Sequence, residues 1–188
     1  MTNTSWCDLC NEEHTMTDNE CKRLSGDAWQ RAVDLVQMDW LKAQARARCL
    51  HVGCGEKYLP GMVNIDPNPD RSKVDYRYDV HDLPFEDSTF DSAISCHVLP
   101  SLQDPVQAMR EMARVLKPGG VMAHVVPDNR YAPMRHSKHH PWQFQHYNWF
   151  GPDHFRAEVL NQLADLSIVC CEHFGGFRFS FKVLCKKR

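Results

Sequence analysis

No apolar run in this sequence approaches the roughly 20 residues that a bilayer-spanning helix needs, so no such helix is expected. The first residues, MTNTSWCDLC, hold no basic stretch followed by an apolar one, so no secretory leader is read there. Charge of neither sign is in excess. Lys and Arg number 22 against 24 Asp and Glu, a net charge of -2. That leaves no field able to hold nucleic acid by charge alone, although a local patch stays open. No Gly-x-x-x-x-Gly-Lys-Ser/Thr stretch occurs, which excludes a P-loop nucleotide hydrolase.

Histidine and cysteine, in contrast, are plentiful, at 11 and 9. The cysteine number is odd and several lie inside apolar runs, as expected for a reduced, cytoplasmic chain whose thiols pack as small hydrophobes. The 188 residues give room for one domain of ordinary size, with little left for a second.

Residues 1–25 are polar and poor in aliphatic side chains, so they read as an N-terminal extension without a core of its own. Within it, Cys7, Cys10, His14 and Cys21 supply four ligands suited to tetrahedral zinc and resemble a zinc knuckle with a lengthened last spacing. Metal binding would give this segment folding energy. A disordered tail with incidental thiols is the alternative. With four protein ligands the role of such a zinc would be structural.

Residues 26–188 read as the main domain. A helix is expected from Ala28 to Ala47, where Trp29, Val33, Val36 and Trp40 recur at spacings of three and four. Short apolar runs predict strands at 49–52, 62–66, 74–80, 90–96, 121–126 and 166–171. Helices are predicted over 105–116 and from Pro152 to about Asp165, and Lys117-Pro118-Gly119-Gly120 should end the first of these with a turn. Phe177, Phe179, Phe181, Val183 and Cys185 alternate with polar residues, the pattern of a strand with one buried face, expected as the antiparallel edge of the sheet. Strands alternating with helices imply an α/β, Rossmann-like, doubly wound and mostly parallel sheet.

Ligands of such sheets bind at the carboxyl ends of the strands. Gly53-Cys54-Gly55, Asp66, Asp79, Cys96-His97 and Pro127-Asp128 all fall at expected strand ends. A Gly-x-Gly turn admits a ligand close to the backbone. A carboxylate at Asp66 can accept from two ribose hydroxyls, and one at Asp79 from an exocyclic amine. The dinucleotide fingerprint lacks its third glycine, and Glu56 beside the turn would repel a pyrophosphate. A nucleoside without phosphates fits these residues.

Three stretches, LHVGCGEKYLPGMVNID, DVHDLPFEDSTFDSAIS and EMARVLKPGGVMAHVVPD, carry a family resemblance over Cys49 to Asp128. They resemble the core of class I S-adenosylmethionine-dependent methyltransferases, most of all small members with a Leu-x-x-Gly-Cys-Gly opening. The resemblance implies S-adenosylmethionine as cofactor. It puts Gly53, Cys54 and Gly55 under the methionine portion and Asp66 on the ribose. It puts Asp79 near the adenine amine with Val80 beside it, and Cys96 and His97 on the loop flanking the sulfonium. Asp82 is the rival to Asp79, which stands four residues before Leu83 as in the family. Ten residues between Gly55 and Asp66 are too few for the usual first crossover helix. Leu99-Pro100-Ser101 stands where the family often has Leu-Glu-His.

Residues 127–151, which follow the fifth of the core strands, are expected to form a substrate lid. They hold His136, His139, His140 and His146 among aromatic side chains. His140, Trp142 and Tyr147 are the candidate substrate-pocket residues, while His139, His140 and His146 could instead bind a metal. The acceptor is expected to be a small molecule. Arg130, Arg135 and Lys138 keep nucleic acid open, and a protein acceptor stays open too, but no Asn/Asp-Pro-Pro-Tyr/Phe motif supports base amino methylation. A non-catalytic protein of this fold that binds a partner is the alternative function.

Overall fold

The structure, a computed structural model, describes residues 5–7, 12–14, 27–128, 147–148, 150–174 and 177–188. A short hairpin comes first: β1 (Ser5–Cys7) pairs antiparallel with β2 (Glu12–His14). Helix α1 (Asp27–Gln44) follows, then β3 (Cys49–Val52), β4 (Val63–Ile65) and β5 (Phe90–Cys96). Helix α2 (Pro105–Val115) leads into β6 (Leu116–Pro127), and α3 (Pro152–Glu158) precedes β7 (Leu166–Phe174) and β8 (Phe177–Lys187).

The six-stranded sheet has the order β4-β3-β5-β6-β8-β7. Strands β3 to β6 are parallel neighbours, and β8 runs antiparallel to both β6 and β7. The sheet is therefore mixed and mostly parallel, with helices packed on it. Order reverses between β3 and β5, and the carboxyl ends of strands at such a switch point are where sheets of this kind bind ligands.

Two apolar layers cover the sheet. Met109, Met112 and Val115 of α2 and Phe155 of α3 pack with Leu50, Val52, Ala93 and Phe181 on one face. Met38 and Leu41 of α1 pack with Cys49, Ile94, Ala123 and Val125 on the other. The alternation predicted for the last strand holds where its side chains are described, since Phe181, Val183 and Cys185 are fully buried.

Three expectations need correction. No strand forms over 74–80; a single bridge joins Ile65 to Tyr76. The Asp75 and Tyr76 N–H groups both donate to Asn64 O, and the Asp75 carboxylate takes the Asn64 N–H at 2.7 Å, so local bonds replace a ladder. The last strand is not the edge, because β8 is inserted between β6 and β7, leaving β7 outermost. The Lys117–Gly120 turn does not precede the strand but lies within β6. Phe90 pairs with Leu116 and Ser92 with Val121, so the intervening residues bulge out, with Gly119 at φ +76°. Among the described residues no helix is long and apolar enough to cross a membrane.

Candidate cofactor and acceptor site

The turn after β3 is built on two left-handed glycines, Gly53 at φ +60° and Gly55 at φ +54°. A Cβ on Gly53 would lie 2.4 Å from Val98 Cγ2, so this glycine lets the β5 loop close against the β3 turn. A Cβ on Gly55 would meet nothing within 4 Å, so open space lies in front of it. Between them, Cys54 donates its N–H to Ile65 O at 3.1 Å and buries its side chain. Burial, reinforced by the Asp66 charge, pushes its thiol up to about 11, which keeps it protonated and poorly nucleophilic.

Asp66, just beyond β4, is buried, with 9% of its surface exposed. Its Oδ2 accepts from Gly55 N–H at 2.9 Å and its Oδ1 from Asn68 N–H at 3.0 Å. A carboxylate has about four acceptor sites, so each oxygen retains capacity for a further donor such as a hydroxyl. Arg71 reaches Glu56 at 2.7 Å and so joins the glycine turn to the loop after Asp66.

Asp79 stands at the end of the segment where no strand forms and is exposed. Its Oδ1 accepts from the His81 backbone N–H at 2.9 Å and from His81 Nδ1 at 2.6 Å. Burial works against ionisation there, but these His81 donors outweigh it and hold the carboxyl below its ordinary value. Val80 is buried in the core, while the rival Asp82 is exposed.

Cys96 is half-buried at the end of β5 and packs against the α1 layer. His97 takes the left-handed conformation at φ +58°, unusual for a side chain of its size. Its N–H donates to Val125 O at 2.8 Å, and its Nε2 lies 3.4 Å from Ser180 Oγ. The structure thus gathers Gly53, Gly55, Asp66 and His97 at the carboxyl edge of adjacent strands.

Of the expected substrate pocket, Tyr147 is described: its side chain is exposed and its N–H donates to Pro100 O at 2.9 Å. His140 and Trp142 lie outside the described residues, as do Cys10 and Cys21 of the expected zinc set. Cys7 and His14 fall on the hairpin, where Cys7 pairs with Glu12 and His14 with Ser5. Among the described residues no group of three or more His, Cys, Asp or Glu could hold a metal.

Several residues to which sequence reasoning gave no role belong to this edge, Asp128 among them although it stood at an expected strand end. Asn64, fully buried in β4, accepts on Oδ1 from Leu59 N–H and from His51 Nδ1, each at 2.9 Å. Because Oδ1 only accepts, His51 Nδ1 must carry the hydrogen. Burial lowers the His51 imidazole below its ordinary value, against the pull of Asn64. Asp128, immediately after β6, is fully buried and its Oδ2 lies 2.8 Å from His173 Nε2 near the end of β7. The signals were faint: an Asn inside a three-residue strand, and a His near the end of a strand whose sequence shows no alternation.

Residues 50–124 match the family model described as a methyltransferase domain. An uncharacterized methyltransferase of Schizosaccharomyces pombe is 33% identical over 103 residues, covering 39% of this chain and 37% of that protein. The chain spans between 14% and 37% of the length of four curated relatives that it matches. An S-adenosylmethionine-dependent methyltransferase structure from Thermotoga maritima superposes with a TM-score of 0.66 at 15% identity, covering 90% of this chain and 96% of that one. The [4+2]-cyclase SpnF superposes with a TM-score of 0.60 at 17% identity, covering 85% and 82%. The fold is that of the class I methyltransferases.

Proposed function

Given a methyltransferase domain over residues 50–124 on a class I methyltransferase fold, we propose that this chain binds S-adenosylmethionine and transfers its methyl group to a small-molecule acceptor. The observation that carries this reading is the buried Asp66 carboxylate, fixed by Gly55 N–H and Asn68 N–H beside an open, left-handed glycine turn. The residues fit a phosphate-free nucleoside: Asp66 for the ribose hydroxyls, Asp79 for the adenine amine, and the Gly53-Cys54-Gly55 backbone along the methionine portion. Bound there, S-adenosylmethionine supplies an activated methyl group. The chain's part is to align the acceptor, exclude water and take up the acceptor's proton. His140, Trp142 and Tyr147 are assigned to the acceptor pocket, and a zinc held by Cys7, Cys10, His14 and Cys21 to a structural role.

Asp66 is the residue to test. Asp66→Ala removes two hydroxyl acceptors, and hydrogen bonds to a charged group contribute about 1.5–3 kcal/mol each. Calorimetry should show affinity for S-adenosylhomocysteine falling by about a hundredfold or more, with circular dichroism unchanged. Affinity unaltered in this variant would refute the ribose assignment. Lack of binding by the folded parent chain would overturn the reading itself. A second reading, a non-catalytic protein on this fold, is favoured by Leu99-Pro100-Ser101 after β5, which brings neither an acid nor an imidazole. SpnF carries a different reaction name on a similar fold, so the fold leaves the reaction open.

A further inference from the structure

Strand β7 runs parallel to β3–β6, since β8 is antiparallel to both of its neighbours. It therefore delivers His173 to the same edge of the sheet as Gly53, Asp66 and His97. There His173 Nε2 meets Asp128 Oδ2 at 2.8 Å. The carboxylate is wholly buried, while 28% of the imidazole side chain is exposed. A chain of register contacts ties this pair to the sulfonium-side loop. Pro127 pairs with Ser180, whose Oγ faces His97 Nε2, and the next residue, Phe181, pairs with His173. The rings of His173 and Phe181 lie edge to face at 6.5 Å, with Phe155 behind them at 5.7 Å from Phe181. Burying a carboxylate completely costs several kcal/mol. Closing a strand end made of Val126, Pro127 and Phe181 does not require one.

An ionised carboxylate accepts and cannot donate, so the hydrogen in this pair sits on Nε2. The lone pair of the neutral ring is then on Nδ1. This is the geometry of a base oriented by a third group. We propose that His173 is the catalytic base on the acceptor side and Asp128 its positioning residue, so that the acceptor is a neutral hydroxyl or amine. The inference rests on the methyl-transfer reading above. The acceptor's oxygen or nitrogen bonds to the methyl carbon, and the methyl–sulfur bond breaks with its electron pair left on sulfur. The acceptor's proton passes to His173 Nδ1 and from there to water, so the positive charge of the donor leaves as a proton. Among the described residues, the other titratable groups near the imidazole include His97, beyond Ser180, and the Glu172–Lys182 pair, whose charges meet each other at 3.0 Å.

Two measurements on the full chain test this. In the complex with S-adenosylhomocysteine, ¹⁵N spectra should show His173 as the Nε2–H tautomer, a preference that Asp128→Asn abolishes. Separately, labelled S-adenosylmethionine is offered a panel of phenols, alcohols, amines and thiols together with a small-molecule cell extract. The label should arrive on oxygen or nitrogen. His173→Gln should lower turnover by about 10²–10⁴-fold and erase the acid limb of its pH profile, while affinity for S-adenosylhomocysteine stays the same. A merely structural histidine would leave that limb in place. An Nδ1–H tautomer in the parent chain, label on sulfur or carbon, or a limb that survives His173→Gln overturns the proposal. So does tight binding of S-adenosylhomocysteine with no transfer to any acceptor. Failure of the parent chain to bind S-adenosylhomocysteine strikes the methyl-transfer reading instead.

Discussion

Gly53 has room for a hydrogen and nothing larger, because Val98 Cγ2 fills the position of a Cβ at 2.4 Å. Two costs therefore add in Gly53→Ala: overpacking of about 1–3 kcal/mol and left-handed backbone strain of about 1–2 kcal/mol. Val98→Ala should relieve the first and leave the second. Urea unfolding of the single and double variants separates them, and a Gly53→Ala penalty that is the same in both backgrounds would show that the contact is irrelevant. Gly55→Ala meets no neighbour, so strain alone should remain in the unliganded chain. The glycine turn was legible in the sequence because its residues are contiguous. Val98 was not, since nothing local in its surroundings says that it returns to the turn after β3. Asp128 stood at an expected strand end, but its pairing with His173 was hidden for the same reason: the two meet only once β8 has been inserted between their strands.

Among the elements, the connection from β3 to β4 departs furthest from a helix-linked crossover. It is the loop Gly53–Met62, and Asn64 holds it. The two N–H groups of the Asn64 amide are shared among Leu59 O at 2.9 Å, Met62 O at 3.0 Å and Asp75 Oδ2 at 3.1 Å. Asn64→Asp is close in shape but replaces that donor with an oxygen facing two carbonyls and a carboxylate. Each stranded buried group costs about 1–3 kcal/mol, so a loss of about 3 kcal/mol or more is expected. Hydrogen exchange should quicken in 53–62 ahead of β5 and β6, and equal protection of the loop in parent and variant would refute the role. The short spacing from Gly55 to Asp66 announced the loop. The clamp escaped notice because side-chain amides leave no periodic signal. The expected strand at 74–80 failed for a related reason. Its alternation is genuine, but Asp75 spends its carboxylate on Asn64, and Arg77 reaches Asn68 O at 2.8 Å and Arg71 O at 3.0 Å.

For the whole molecule, the consequence of packing histidines between two apolar layers is sensitivity to acid. His124 is fully buried in β6, with Nδ1 2.7 Å from Ser95 Oγ and Nε2 without a hydrogen-bond partner among the described residues. Burial drives its pKa down to about 3, and His51 is lowered as well. The sign follows from where the protons bind. Unfolded histidines take up protons near pH 6.5, whereas in the native chain both take theirs up at lower pH. Their contribution to stability is therefore complete above pH 6.5. For His124 it declines as pH falls from there toward 3, at about 1.4 kcal/mol per pH unit. Between pH 7 and pH 5, His124 alone should remove about 2 kcal/mol. His124→Asn keeps a polar group near the place of Nδ1 and carries no titrating ring. Whatever its absolute stability, urea unfolding should show its loss between the two pH values to be smaller than the parent's by about that amount. An equal loss in both chains would mean that His124 accepts its proton in the folded state, which a ring sealed between β5, β6 and the α2 layer should not do.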